Sequence, residues 1–317
     1  MKAVAAALAL LALLGLTASA AAKRTVYFTR SGPTPGLSQI WSVETTGGKA
    51  RLVRRRMPNG PQGGIVAISR DGRRIFCICR QDEVGSVRTD GTGLRRVGPL
   101  PRAVRYDNVT LGPDGRAYWV KAFTKVISLA PGARKPRAFR AVRDREAVVD
   151  ERVVASPDGR RIAFVVYGCL VPDCTDEDLE TLLTADVGGG ERTVVYQSTG
   201  LGKEIGEVAW SADGRRLVFA DGTGEGDPKG ELPVFFPQQY LVAPADGSNP
   251  AGTPVTISEE GFNPFFSPQG ERLAFTFWAR PEFALGTAPV GGEGVPLTAT
   301  SCRYPACEFP PRVFAWR

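Results

Sequence analysis

Three acids, Asp107, Glu151 and Glu207, stand just ahead of short apolar segments at corresponding points of the chain. A pair of carboxylates is the least equipment that cleaves a glycosidic bond, one as acid and one as base or nucleophile. The sequence contains no histidine. That removes the commonest general base, the Ser-His-Asp and Cys-His nucleophile systems, and every histidine-ligated metal site. Carboxylate chemistry is what remains for an enzyme reading, and no single residue is assigned a catalytic role.

The other reactive side chains point to structure. Six cysteines fall into close pairs. Cys169 with Cys174 and Cys302 with Cys307 each flank a short loop, so two local disulfides are expected in an oxidising compartment. Cys77 and Cys79, at i and i+2 of a strand, share one face and read as buried, inert thiols. Zinc is not expected, because the Cys-x4-Cys spacings are loose and no histidine completes a set. The run Asp221-Gly222-Thr223-Gly224-Glu225-Gly226-Asp227 tempts a calcium reading. It fails the EF-hand pattern at Thr223 and at Leu232, so a flexible loop is expected and no metal or cofactor is assigned.

Residues 1–22 read as a secretory signal peptide: basic Met1-Lys2, an apolar stretch from Ala3 to Leu16, and small residues through Ala20-Ala21-Ala22. No later apolar run is long enough to cross a bilayer. An exported monomer is therefore expected, periplasmic, envelope-associated or secreted, with 23–317 as a single domain. The formal charge of +7 falls by one with Lys2. Its arginines are spread along the chain, and an Arg-Arg pair that recurs after Asp-Gly reads as a solvated strand edge. Export argues against a nucleic-acid partner, and weak attraction to an anionic envelope is as much as the charge supports.

What must position these residues is a repeated phrase. Ser156-Pro157-Asp158-Gly159-Arg160-Arg161-Ile162 recurs as Ser69 to Ile75, Gly112 to Tyr118, Ser211 to Leu217 and Ser267 to Leu273. A repeat of roughly 40–55 residues built of short strands signals a propeller. Each repeat supplies four strands, which we letter A to D: Arg152–Ala155, Ile162–Val166, Thr181–Ala185 and Arg192–Tyr196 in one, and Val208–Trp210, Leu217–Phe219, Gln239–Val242 and Pro254–Ile257 in the next. Asp-Gly and Gly188-Gly189-Gly190 suit two-residue hairpin turns. Thr25-Val26-Tyr27-Phe28 matches a B strand, and Val313 to Arg317 matches the missing A strand. The expectation is an all-β, six-bladed β-propeller of four-stranded antiparallel blades, its ring closed by the C-terminal strand.

The phrase Val208-Ala209-Trp210-Ser211-Ala212-Asp213-Gly214-Arg215-Arg216-Leu217-Val218-Phe219 resembles the repeat of TolB-like β-propellers, as does the phrase around Asp158. The resemblance covers essentially all of the chain after the signal peptide and implies the fold. In the family's namesake an α/β domain precedes the blades. Only Lys23 and Arg24 separate Ala22 from Thr25, so that domain is not expected here. Some exported peptidases join a similar propeller to a hydrolase domain, which the lack of histidine argues against.

Strand alternation assigns the faces. A–B and C–D turns lie at one end of every blade, and B–C and D–A connections at the other. The long irregular segments, Tyr167 to Glu180, Asp221 to Pro237 and Ser301 to Pro311, all fall at the second end. Binding residues concentrate on loops held by a rigid scaffold, so that end is the candidate face. At its centre stand Asp107, Asn108, Glu151, Arg152, Glu207, Asn263 and Arg312, with Phe235 and Phe236 as aromatic anchors on a loop. The function expected is non-enzymatic binding of a protein or peptide in the cell envelope. The alternatives are a glycosidase or lyase that uses the mouth carboxylates, and a purely structural module.

Overall fold

The structure is a computed structural model that describes residues 24–31, 37–45, 49–58, 66–80, 83–101, 109–142, 146–148, 153–168, 179–198, 203–226, 233–255, 261–279, 282–290, 295–303 and 312–316. All regular elements among them are strands, and they form six sheets. Blade 1 opens with β1 (Thr25–Ser31), β2 (Leu37–Glu44) and β3 (Arg51–Pro58). Blade 2 holds β4 (Val66–Ile68), β5 (Arg74–Arg80), β6 (Glu83–Arg88) and β7 (Arg95–Pro99). Blade 3 holds β8 (Thr110–Leu111), β9 (Ala117–Lys121), β10 (Lys125–Leu129) and β11 (Arg137–Arg140). In blade 4 the A strand is split into β12 (Glu146–Val148) and β13 (Val154–Ala155), both paired with β14 (Arg161–Gly168). β15 (Glu180–Asp186) and β16 (Thr193–Gln197) complete that blade.

Blade 5 has the longest strands: β17 (Lys203–Trp210), β18 (Arg216–Gly226) and β19 (Pro233–Pro244), with β20 (Thr253–Val255) outside them. Blade 6 is β21 (Gly261–Phe266), β22 (Arg272–Ala279), β23 (Glu282–Pro289) and β24 (Val295–Arg303). The last strand, β25 (Arg312–Trp316), pairs antiparallel with β1, Val26 opposite Trp316 and Tyr27 opposite Ala315. It supplies the A strand that blade 1 lacks, and the ring closes as expected.

The core lies between blades. Six apolar clusters form, one at each seam. Phe164 and Val166 face blade 3 beside Tyr118, whereas Ala163 and Val165 face blade 5 beside Leu217 and Phe219. This is the two-residue period of a strand buried on both sides. The D strands β7 and β11 are mostly exposed, which marks the rim. The C–D turns of blades 2 and 5 lean on the preceding blade so closely that only glycine fits: a Cβ on Gly91 would lie 2.1 Å from the Val53 carbonyl oxygen, and one on Gly247, at φ 71°, 2.2 Å from that of Val194.

The repeated phrase forms a larger turn than expected. Ser156 N–H donates to Arg161 O at 2.9 Å, leaving four residues between them, and only Gly159 has positive φ. A two-residue type I′ turn needs positive φ at both central positions. Here Ser156-Pro157-Asp158-Gly159 follows the type I preference, with proline second and glycine fourth. The Ser156 hydroxyl donates to Asp158 Oδ1 at 2.6 Å, and the Arg160 amide donates to the same oxygen at 3.0 Å.

The Arg-Arg pair is not a uniformly solvated edge. Successive strand residues point to opposite faces, so one arginine faces solvent and the other faces the next blade. Arg160 and Arg215 are exposed. Arg161 donates to the carbonyl of Gly214, and its guanidinium lies 5.0 Å from the centre of the Trp210 ring. Arg216 donates to the Gly270 carbonyl at 2.6 Å and lies 5.4 Å from the Phe266 ring. Each thus acts as a strut from one blade to the turn of the next.

Cys77 is fully buried but disulfide-bonded, not an inert thiol. Its partner is outside the described side chains, and face-sharing along one strand does not keep a sulfur reduced. The two expected local disulfides lie outside the described residues at Cys169, Cys174 and Cys307, and the Cys302 side chain does as well. No helix among the described residues is long and apolar enough to cross a membrane.

Candidate functional site

At the B–C end the expected loops are partly strand. β18 and β19 pair as far as Gly226 opposite Pro233, with Thr223 opposite Phe236 and Gly224 opposite Phe235. Asp221 to Gly226 and Pro233 to Pro237 therefore form a hairpin standing on blade 5. The register slips between Asp221 and Gly222, next to Pro237, and proline is tolerated in a strand at such an irregularity. β17 extends to meet this hairpin, Lys203 opposite Thr223 and Ile205 opposite Asp221. Likewise β14 carries Tyr167, Glu180 opens β15, and β24 runs through Cys302. The side chains of Phe235 and Phe236 lie outside the described residues.

Of the residues expected around the channel mouth, the structure brings Glu207 and Asn263 together. Each sits three residues before the aromatic that ends its A strand, Trp210 or Phe266, inside a break in strand register. Each has a φ of 52°. Glu207 Oε2 accepts the Tyr240 hydroxyl at 2.5 Å and the backbone amide of Asn263 at 2.8 Å. A left-handed conformation costs a residue with a side chain on the order of 1–3 kcal/mol and persists where the surroundings impose it. Burial, then the charge of Glu207 and its hydrogen bond, push the Tyr240 phenol well above its ordinary value. Asp107, Asn108, Glu151 and Arg152 lie outside the described residues, and Arg312 is placed in β25 by its backbone alone.

Two further acids, read from the sequence only as parts of irregular segments, are buried here. Glu180 is 6% exposed, and its Oε2 accepts the backbone amide of Ile205 in the next blade at 2.5 Å. Asp221 is 1% exposed. Its Oδ2 accepts from Gln239 Nε2 at 3.0 Å and lies 3.8 Å from Lys203 Nζ. Burial and then the Asp221 charge raise the Tyr196 phenol above its usual range. The signal was present in sequence as an acid at the border of an apolar strand: Glu180 before Thr181-Leu182-Leu183, and Asp221 after Leu217-Val218-Phe219-Ala220. Both acids, like Glu207, are engaged by hydrogen-bond donors of the protein. Their role in this geometry is to tie blades 4, 5 and 6 together beneath the face.

The exposed chemistry at this end is aromatic and cationic. The B–C connection of blade 3 is short, with Lys121 opposite Lys125, and Thr124 N–H donates to Lys121 O at 3.3 Å across Ala122 and Phe123. Both central residues have positive φ, 53° and 54°, in a turn type that favours asparagine and glycine. Phe123 is 57% exposed at its tip, with Lys121 and Lys125 exposed on either side. On the neighbouring blade Tyr167, 42% exposed, stands at the same end of β14.

Comparisons with known proteins address the fold. No family profile matches the sequence, and no curated protein matches it. The structure is similar to that of TolB from Acinetobacter baumannii, with a TM-score of 0.57 at 17% identity over 93% of this chain. This chain spans 66% of that protein's length. A protein assigned as TolB from Agrobacterium tumefaciens gives 0.52 at 16% identity, over 93% of this chain and 99% of the other. A chain of the nidogen–laminin complex gives 0.54 at 11% identity, over 92% and 97%. The likeness is one of architecture, and in architecture the chain is a TolB-like six-bladed β-propeller.

Proposed function

We propose that the chain is an exported, non-enzymatic propeller that binds a protein or peptide of the cell envelope through its B–C face. The observation that carries the reading is Phe123, the most exposed large apolar side chain described, held on a strained turn between two lysines. Exposed aromatics on rigid supports are the anchors that dominate protein interfaces. Strain in a short turn persists where it serves a function and the scaffold enforces it. Tyr167 is a second exposed aromatic at the same end, on blade 4.

Residues 1–22 supply the export signal on this reading, and 23–317 act as one domain. On the same reading Asp107, Asn108, Glu151, Arg152, Glu207, Asn263 and Arg312 would line the centre of the face, and Phe235 and Phe236 would serve as anchors from the blade 5 hairpin. Disulfides between Cys169 and Cys174 and between Cys302 and Cys307 would brace the longer connections.

The test uses the purified chain without residues 1–22 as bait for an envelope extract, compared with the Phe123→Ser/Tyr167→Ser variant. The expected result is a saturable partner captured by the wild type and lost by the variant, with both proteins melting at similar temperatures. Equal capture by the two, or no capture at all, would overturn the reading.

A further inference from the structure

At the opposite end, struts of this kind stand at two seams, while Arg74 and Arg272, their counterparts in blades 2 and 6, donate within their own blades. Arg161 spans blades 4 and 5, and Arg216 spans blades 5 and 6, each bonded to a turn glycine carbonyl. The corresponding residue of blade 3 is Arg116, because its turn is one residue shorter: Gly112 N–H donates to Arg116 O where Ser156 N–H donates to Arg161 O. Arg116 makes no such bond to Gly159. Its Nε is buried, 3.5 Å from Asp114 Oδ2 of its own turn, and has no hydrogen-bond partner. Arg70 and Asp114 crowd Gly159 instead, since a Cβ there would meet Arg70 Nη2 at 3.2 Å and Asp114 Oδ2 at 3.7 Å.

A groove of about 500 Å³ opens beside Arg116. Arg116, buried Ser128, Arg134, Lys135 and Arg137 line it. Arg134, Lys135 and Arg137 have no ion-pair partner among the described residues. The turn that carries Arg134 and Lys135 is fixed at its base, with Gly132 N–H donating to Val97 O of blade 2 at 3.1 Å. Cations spread over a convex surface are solvated individually, whereas cations around a concavity add their fields and concentrate an anion there. The guanidinium fork matches the paired oxygens of phosphate and sulfate.

We infer that this groove is an anion-binding site for the phosphate or sulfate ester of a sugar-sized ligand. Its volume lies within the range of small-molecule sites. The site is separate from the B–C face and does not depend on partner binding there.

The test is isothermal titration of the full chain lacking residues 1–22 with inorganic pyrophosphate in one arm and a sulfated disaccharide in the other. Each arm is run at low and at physiological salt. Binding of at least one probe is expected, weaker at higher salt as screening grows. Arg134→Gln/Arg137→Gln, both exposed positions, should weaken it by at least about tenfold through lost charge-assisted bonds, with an unchanged melting temperature. Arg116→Gln should do the same, and Lys121→Ala/Lys125→Ala, at the far end, should bind as the wild type does. Pyrophosphate alone identifies a phosphate ester, and the disaccharide alone a sulfate ester. Failure of both probes, or equal affinity in the groove variants, overturns the inference.

Discussion

The carboxylate of Glu207 accepts the backbone amide of Asn263 at 2.8 Å across the seam between blades 5 and 6, and both residues have left-handed backbones. The same carboxylate oxygen takes the hydroxyl of Tyr240, which is 4% exposed. The bulge in each A strand is thus held by the neighbouring blade as well as by its own.

Glu207→Ala leaves a buried phenol and an amide without their acceptor and should cost about 2–3 kcal/mol. Glu207→Gln keeps an acceptor oxygen and should cost less than about 1 kcal/mol. Urea unfolding of both variants checks the order, and similar losses would show that charge, not hydrogen bonding, dominates.

Adjacent arginines should behave differently. Arg161→Ala removes a link to Gly214 and a stack on Trp210, a loss of about 2 kcal/mol. Arg160→Ala removes an exposed side chain and should stay within about 0.5 kcal/mol of the wild type. Calorimetric melting of the two single variants separates them.

Acid should unfold the ring through its turns. Burial works against ionisation of Asp158 and Asp213, but hydrogen bonds from Ser156 and Arg160, or Ser211 and Arg215, and the flanking guanidiniums outweigh it. Both carboxyls therefore sit below their ordinary value of 3.8. A group with a depressed folded-state pKa binds protons more readily when unfolded. Its contribution is complete above the ordinary carboxyl range and is lost as pH falls through the folded-state value. Melting temperature should drop below about pH 4, and Asp158→Asn/Asp213→Asn should start lower at neutral pH and decline less steeply.

Phe123→Gly should raise stability by about 1 kcal/mol, since glycine relieves positive φ at the second position of a type I′ turn. On the proposed function it should also abolish partner capture. Stability and binding moving in opposite directions is the signature sought, by urea titration alongside the capture assay.

The architecture was legible in sequence because its signals are local or terminal. Ser156-Pro157-Asp158-Gly159 announces a turn by its own backbone preferences, and Val313 to Trp316 announces closure by matching an A strand that Thr25 lacks. The site was less legible because its geometry depends on pairing. Asp221 to Pro237 is rich in glycine and proline and reads as loop, yet strand partners on β17 and within the hairpin impose extension on Asp221 to Gly226 and Pro233 to Pro237. Arg160 and Arg161 are chemically identical, and only the parity of the strand tells strut from surface. Phe123 gave no warning, since nothing in Lys-Ala-Phe-Thr-Lys suggests a tight type I′ turn. The shortened turn before Arg116 shifts a register that the repeated phrase alone places one residue later.

Val26 lies opposite Trp316, so β1 is completed only by β25, the described strand farthest from it in sequence. Blades 2 to 6 draw all their strands from contiguous stretches, but β1 keeps an open edge until β25 docks. An unpaired edge recruits strands from other chains. Export in an unfolded state would present both ends together and shorten that exposure. Deleting residues 312–317 should leave a nearly complete ring that self-associates, its latch supplied by a neighbour.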